Sequence, residues 1–286
     1  MKLLLVVNPV SGDNDKEPYI KKIKDRLNSQ DDLHIFETNG KDDLERLRRS
    51  FFGKYDRVVV IGGDGTIKLA AEAMGEHPVS IGIIPAGSAN GLAIDLGLPL
   101  SPEEAIAVAL GAKTRKIDAI SLNGELCLHI SDLGLNAELI KEYENSFLRG
   151  KLGYALNSIP ALFRSKGPYD FTIETENRTC RARGIMLAFA NSKKFGTGAV
   201  INPDGSIDDG IFEILIFKKL DVLEILKTLQ ETEKPSTGFM EVIPVKKARI
   251  TTEEPVAFQV DGEYCQAVSE VRARVVPEKL EIVVAE

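Results

Sequence analysis

In the first third of the chain, short apolar runs alternate with stretches in which apolar residues recur every three or four positions. Residues 2–7 read as a buried strand, ended by the breaker Asn8-Pro9-Val10-Ser11-Gly12. Residues 17–29 carry Ile20, Ile23 and Leu27 on one helical stripe. Residues 33–38 predict a second strand, 41–52 a charged amphipathic helix, and 57–61 a third strand that enters Gly62-Gly63-Asp64-Gly65-Thr66 directly. A helix starting near Thr66 and running through Leu69, Ala70 and Ala73 follows. Then come a fourth strand over 79–84, the loop 85–91, another helix, and one more over 102–110. Such alternation is the signature of βαβ units on a parallel sheet.

From about Lys116 the texture changes. β-type runs dominate, at 117–122, 125–131, 169–174, 185–190, 211–217, 247–251, 256–260, 272–276 and 280–284. Asn123-Gly124 and Asp209-Gly210 are turn signals between them. Two helical stretches, 146–165 and 221–231, interrupt this half. The expected fold is an N-terminal α/β domain over residues 1–120 and a C-terminal antiparallel β-sandwich domain over 121–277. The last strand, about 278–286, is expected to return to the first domain. A cleft between two such halves is the natural place for a ligand.

Composition narrows the class. The chain is 43% hydrophobic and 28% charged, as expected of a soluble globular protein rather than a disordered one. Its net charge of −7 argues against a nucleic-acid partner. The opening apolar run stops at Asn8-Pro9, too short for a signal peptide, and no run approaches the roughly 20 residues that span a bilayer. Cys127, Cys180 and Cys265 are far apart and odd in number, which disfavours a disulfide framework. His34, His77 and His129 show no metal-ligand spacing. A cytoplasmic, reduced, zinc-free protein is expected.

Four loops have the residue types for chemistry. In Gly62-Gly63-Asp64-Gly65-Thr66, glycines allow backbone N–H groups close to a phosphate, and the next helix offers its positive N-terminus. Thr66 adds a hydroxyl, and Asp64 a carboxylate able to hold Mg²⁺ or take a proton. The plainer reading is a tight turn with Asp64 as a helix cap. The spacing fits neither a Walker A nor a dinucleotide fingerprint. The loop at Asn8, Ser11 and Gly12 and the loop at Gly87, Ser88 and Asn90 also follow strands, and in a parallel sheet such loops share one rim. Thr38 ends the second strand at that rim. Asp204, Asp208 and Asp209 before Gly210, and Asp261-Gly262-Glu263, supply carboxylates near turns. They suit solvated turns or a Mg²⁺ site with a general base.

Together these motifs resemble the diacylglycerol kinase catalytic family, bacterial lipid kinases related to sphingosine and ceramide kinases. The resemblance covers essentially the whole chain. It implies an α/β domain of NAD-kinase-like plan, a β-sandwich, and ATP in the cleft between them. It further implies that Asn8, Pro9, Val10, Ser11, Gly12, Thr38, Gly62, Gly63, Asp64, Gly65, Thr66, Ile67, Lys68 and Ser88 line the nucleotide. A structural magnesium falls on Asp209, with carbonyls from Ser206 and Ile211, and all-oxygen ligation suits a hard cation. The proton acceptor falls on Glu263, or on Asp64 as in the sphingosine-kinase branch. One departure stands out: Gly87-Ser88-Ala89-Asn90-Gly91 has Gly91 where bacterial members usually carry an aspartate.

The expected activity is Mg²⁺-dependent transfer of the ATP γ-phosphoryl group to the hydroxyl of a lipid such as diacylglycerol or a sphingoid base. An NAD kinase and a non-catalytic nucleotide-binding protein are the competing readings. The Asn-Pro-x-Ser-Gly start and the Asp-Gly-Glu motif favour the lipid kinase. A lipid substrate requires transient contact with the membrane surface. Residues 147–163, apolar and flanked by Arg149, Lys151, Arg164 and Lys166, are either the interfacial surface or a helix packed on the sandwich. A homodimer is allowed for, with no surface singled out.

Overall fold

The computed structural model describes residues 1–51, 55–77, 79–144, 167–195, 199–200, 202, 204–219, 221 and 236–285. The helical stretches expected at 146–165 and 221–231 (Asp221 aside), and with them the membrane-facing candidate 147–163, lie outside the described residues. The chain forms two compact units, Met1–Ile117 with Glu278–Glu286, and Asp118–Pro277.

The first unit contains β1 (Lys2–Val7), α1 (Glu17–Arg26), β2 (Asp32–Glu37), α2 (Asp43–Ser50), β3 (Arg57–Gly62), α3 (Asp64–Met74), β4 (Ser80–Pro85), α4 (Gly91–Asp95) and α5 (Pro102–Ala109). Its strands run parallel in the order β2-β1-β3-β4. Apolar side chains on both faces of β1, β3 and β4 are buried, as a parallel sheet covered by helices requires. Ile20 and Ile23 of α1 and Ala105, Ile106 and Ala109 of α5 pack on Leu3, Leu5, Val59 and Ile61. The edge strand β2 is correspondingly polar, with only Phe36 buried. Pro102 behind Ser101 starts α5 where a missing N–H costs nothing, and Glu103 and Glu104 favour its N-terminal dipole. α2 begins at Asp43, two residues later than its amphipathic pattern suggests. The Asp43 carboxylate accepts the N–H groups of Asn39 (3.1 Å) and Gly40 (2.8 Å), tying the preceding turn to the helix start.

The second unit takes up the chain along β5 (Thr114–Leu122). It continues with β6 (Glu125–Cys127), β7 (Ile130–Gly134), α6 (Leu135–Glu144), β8 (Tyr169–Thr175), β9 (Thr179–Gly184), β10 (Met186–Ala190), β11 (Lys194–Phe195), β12 (Ala199–Val200), β13 (Phe212–Phe217), β14 (Met240–Val245), β15 (Lys247–Val260) and β16 (Glu263–Val283), whose residues from Glu278 on belong to the first unit. The main order is β14-β13-β10-β7-β15-β16, antiparallel between neighbours, and β8 with β9 joins through β15. Phe189 and Phe212 pack with Leu133, Phe171, Ile214, Phe258 and Val271 in one core. Ala188, Ala190, Leu215 and Phe217 bury a second cluster with Phe239 and Met240. The alternation along β10 and β13 thus buries both faces.

Several boundaries differ from the sequence pattern. The runs 247–251 and 256–260 are one strand, β15, whose register shifts between Thr251 and Val256 where Glu253-Glu254-Pro255 interrupts the apolar residues. Likewise 272–276 and 280–284 belong to β16, which passes through Pro277 and a left-handed Glu278 (φ 49°). The run 125–131 is split between β6 and β7. The pattern did not reveal β9, β14 or α6.

Candidate active site

In the first unit, the loops that follow β1, β3 and β4 are locked to one another. The Asn8 N–H donates to the Ile61 carbonyl at 3.0 Å, and Asn8 Nδ2 donates to Thr66 Oγ1 at 3.2 Å. Asn8 Oδ1 accepts the Val10 N–H, and the Ser11 hydroxyl donates to the Asn8 carbonyl at 3.0 Å. The Thr38 N–H donates to the Val7 carbonyl at 2.9 Å, placing Thr38 beside Asn8. The Ala86 N–H donates to the Gly62 carbonyl at 2.9 Å.

The glycines explain how three backbones come so close. A Cβ on Gly87 would stand 2.4 Å from Gly63 Cα, and one on Gly12, whose φ is +63°, would stand 2.5 Å from the Ala86 carbonyl oxygen. Here glycine is required by loop-on-loop packing. Gly65 and Ser88 are exposed, and α3 starts at Asp64, its first turn fixed by the Thr66 and Ile67 N–H groups, which donate to the Gly63 carbonyl at 3.0 and 3.2 Å. Thr66, Ile67 and Lys68 are buried under the loop, so Ile67 faces the core rather than solvent. Pro9 and Val10 are exposed on the outer side of the first loop.

The Asp64 carboxylate has structural partners. Its Oδ2 accepts the Gly91 N–H at 2.9 Å and its Oδ1 accepts the Leu92 N–H at 3.0 Å, capping α4 from a distance of 27 residues in sequence. Asn90, in the left-handed region, closes the same loop through both ends of its amide with Gly87. Lys16 did not stand out in the sequence. It is buried, and its Nζ donates to the carbonyls of Ser11 (2.6 Å) and Asn14 (2.5 Å), closing the first loop from behind.

The second unit carries two carboxylate turns. In the first, Asp209 Oδ1 accepts the Ile211 N–H at 3.1 Å, and the Ser206 hydroxyl donates to Asp208 Oδ1 at 2.7 Å. Asp118, which the sequence marked only as a strand residue, is buried and completes this turn. Its Oδ2 accepts the Gly210 N–H at 2.7 Å, and its N–H donates to the Ile207 carbonyl. Among the described residues no three His, Cys, Asp or Glu side chains converge as a metal cage. Asp204, Asp209, Ile211 and Glu213 line a concavity of about 660 Å³ beside the turn. Burial pushes the Glu213 carboxyl above its ordinary pKa, partly offset by the Asn202 amide 2.6 Å away.

In the second turn, Asp261 accepts the N–H groups of Leu128 (2.8 Å), His129 (2.9 Å) and Ile130 (3.2 Å). Its carboxylate is thus committed to the β6–β7 connection. Glu263 stands exposed at the first position of β16, paired with Val260. Opposite Gln259, Asp132 of β7 is fully buried; desolvation raises its pKa from 3.8 to about 6, against the amides of Asn136 and Gln259.

Two family models match the chain: the diacylglycerol kinase catalytic domain over residues 2–122, and the YegS C-terminal NAD kinase beta sandwich-like domain over residues 132–284. A Chromohalobacter salexigens protein described as "probable lipid kinase YegS-like" is 29% identical over 235 residues, 79% of this chain and 75% of its own. The Bacillus subtilis diacylglycerol kinase is 22% identical over 271 residues, 91% of this chain and 89% of its own. A crystal structure of a diacylglycerol kinase from Bacillus anthracis superposes with a TM-score of 0.80 at 24% identity, covering 99% of this chain and 97% of that one.

Proposed function

The chain belongs to the diacylglycerol kinase catalytic-domain family, and we propose that it moves the γ-phosphoryl group of ATP, with Mg²⁺, onto the hydroxyl of a lipid such as a diacylglycerol or a sphingoid base. The observation that carries this reading is the interlock of the loops after β1, β3 and β4, which leaves Gly65 and Ser88 exposed beside the start of α3. Phosphoryl transfer asks mainly for positioning and charge neutralisation, and rigid backbone amides at a helix N-terminus supply both. In this reading Asn8, Ser11, Gly12, Thr38, residues 62–66 and Ser88 hold the nucleotide, with Asn8 and Thr66 fixing the phosphate loop through their mutual hydrogen bond.

Glu263 is the group we assign to accept the hydroxyl proton. The family resemblance puts the acceptor at that position, and the alternative, Asp64, has both carboxylate oxygens bonded to backbone amides. Asp64 then acts as the brace of the nucleotide loops. The Asp209 turn fits an oxygen-ligated cation: it offers a carboxylate on a turn stiffened by Asp118, with the Ser206 and Ile211 carbonyls as further donors. Mg²⁺ bound there supplies positive charge and rigidity. Among the described residues no helix is long and apolar enough to cross a membrane. The proposed enzyme works in the cytoplasm and meets its lipid by transient surface contact.

The test is transfer of label from γ-³²P-ATP by the purified protein to a panel of diacylglycerol, sphingoid base, ceramide, phosphatidylglycerol and undecaprenol. Label in the organic phase is the expected result. Label only in NADP when NAD is supplied, or no transfer to any acceptor, sinks the reading.

A further inference from the structure

β7 and β15 place Asp132 directly opposite Gln259, and both side chains are closed to solvent, at 0% and 1% exposure. Gln259 uses the two ends of its amide in different directions. Nε2 donates to Asp132 Oδ2 at 2.6 Å, while Oε1 accepts the Gly262 N–H at 2.8 Å. Asp132 Oδ2 takes a second hydrogen from Asn136 Nδ2, on the first turn of α6, also at 2.6 Å. An ionised carboxylate only accepts, so it dictates which end of the Gln259 amide faces it. The oxygen end is thereby left for Gly262. That glycine (φ +88°) and Asp261 (φ +50°) are both in the left-handed region, a conformation a turn keeps only when its surroundings enforce it.

A buried carboxylate is costly, and apolar residues of similar size would fill the same space at less cost. Its location, one amide away from the turn that ends in Glu263, supplies a reason for it. We infer that Asp132 is a positioning residue for the Asp261–Gly262–Glu263 turn, acting through the side chain of Gln259. The inference rests on the reading of Glu263 as the proton acceptor. Asp132 touches no substrate in this account; it sets the orientation of the amide that holds the turn.

The test compares Asp132→Asn, Asp132→Leu, Gln259→Leu, the Leu/Leu double variant and Glu263→Gln. Two readouts are taken: kinetics with dioleoylglycerol in mixed micelles, and amide hydrogen exchange of peptides covering residues 259–264. Asp132→Leu should lose kcat tenfold or more, leave KM for ATP within twofold, and speed exchange of the turn about tenfold. Asp132→Asn keeps the shape and one acceptor oxygen, and should recover most of the loss. Gln259→Leu breaks the same link from the other side, and the double variant should be no worse than either single. Should Asp132→Leu not fold, Gln259→Leu and Asp132→Asn carry the same comparison. Unchanged turn exchange in the folded variants, or additive losses in the double, overturns the inference. A fully active Glu263→Gln overturns the reading of Glu263 and the kinetic half with it; fast exchange in the Asp132 variants then shows that the base assignment, not the link, has failed.

Discussion

Asp64 holds Gly91: its Oδ2 takes the Gly91 N–H at 2.9 Å while Oδ1 takes that of Leu92 at 3.0 Å. One carboxylate thus joins the first residue of α3 to the first turn of α4, and so joins the loops after β3 and β4. At Gly91 the family resemblance leads one to expect an aspartate, and this chain has a glycine. In this chain its contribution to the site is a backbone N–H.

This relationship separates bracing from proton transfer. Asp64→Ala removes both acceptors and should cost about 1–2 kcal/mol of stability, the usual worth of a helix cap. It should also loosen the nucleotide loops enough to abolish turnover. Asp64→Asn keeps one acceptor and should lose less stability, while ATP affinity stays near that of the parent. Urea unfolding, ATP titration and the kinase assay read these out. A near-normal kcat for Asp64→Ala would remove this loop from the proposed site.

Close packing of the loops leads to a second expectation. Gly87→Ala puts a methyl group 2.4 Å from Gly63 Cα, where the obstacle is backbone. Gly40→Ala meets nothing within 4 Å, although its φ of +77° is unfavourable for alanine. Gly87→Ala should therefore cost about 1–3 kcal/mol through overpacking and lower ATP affinity as the loops separate. Gly40→Ala should cost about 1–2 kcal/mol of backbone strain and leave ATP affinity unchanged. Equal ATP affinities for the two variants would argue against loop-on-loop packing as the reason for Gly87.

The rim of strand-end loops was legible because it is local: an apolar run, a breaker with small residues, then a helical stripe. Thr38, Asn8 and Thr66 were expected at one rim on that logic; Asn8 bonds to Thr66, and the Thr38 N–H donates to the Val7 carbonyl, next to Asn8. What the sequence concealed depends on partners far along the chain. Asp118 reaches Gly210 across 92 residues, and Asp261 reaches His129 across 132, with no spacing rule to announce either. The strand β9, Thr179–Gly184, has polar residues at most positions because only one end of it is deeply buried. β14 carries Pro244, tolerated because the strand is at the edge of its sheet. In both strands, position in the sheet overrides the local pattern.

Metal removal tests the Asp209 turn. The parent protein should melt at a higher temperature in Mg²⁺ than in EDTA, because an ion bound only by the folded state stabilises it by mass action. Asp209→Ala should abolish the difference. Asp118→Asn, which keeps an acceptor for the Gly210 N–H, should reduce it without unfolding the turn. Identical melting of the parent in Mg²⁺ and EDTA would remove the ion from this turn and leave Asp118 to stiffen it alone.

Asp132 makes a prediction about pH that does not depend on catalysis. Its folded-state pKa of about 6 lies above the ordinary 3.8, and burial is the main cause. Between those values the folded chain holds a proton that the unfolded chain has released. Stability from this group is therefore greatest below pH 4, falls as pH rises through 6, and is level above that. The full change is on the order of 3 kcal/mol, at about 1.4 kcal/mol for each pKa unit. Asp132→Asn, a neutral isostere, should lack this slope. Glu213, also raised by burial, slopes the same way in both proteins and cancels in the difference. Urea unfolding of parent and variant at half-unit steps from pH 4 to 8 measures it. The variant should gain on the parent as pH rises to about 6 and hold a constant lead above 7. A flat difference curve would mean that Asp132 ionises at its ordinary pKa, and that the carboxylate is better solvated than its burial between β7 and β15 implies.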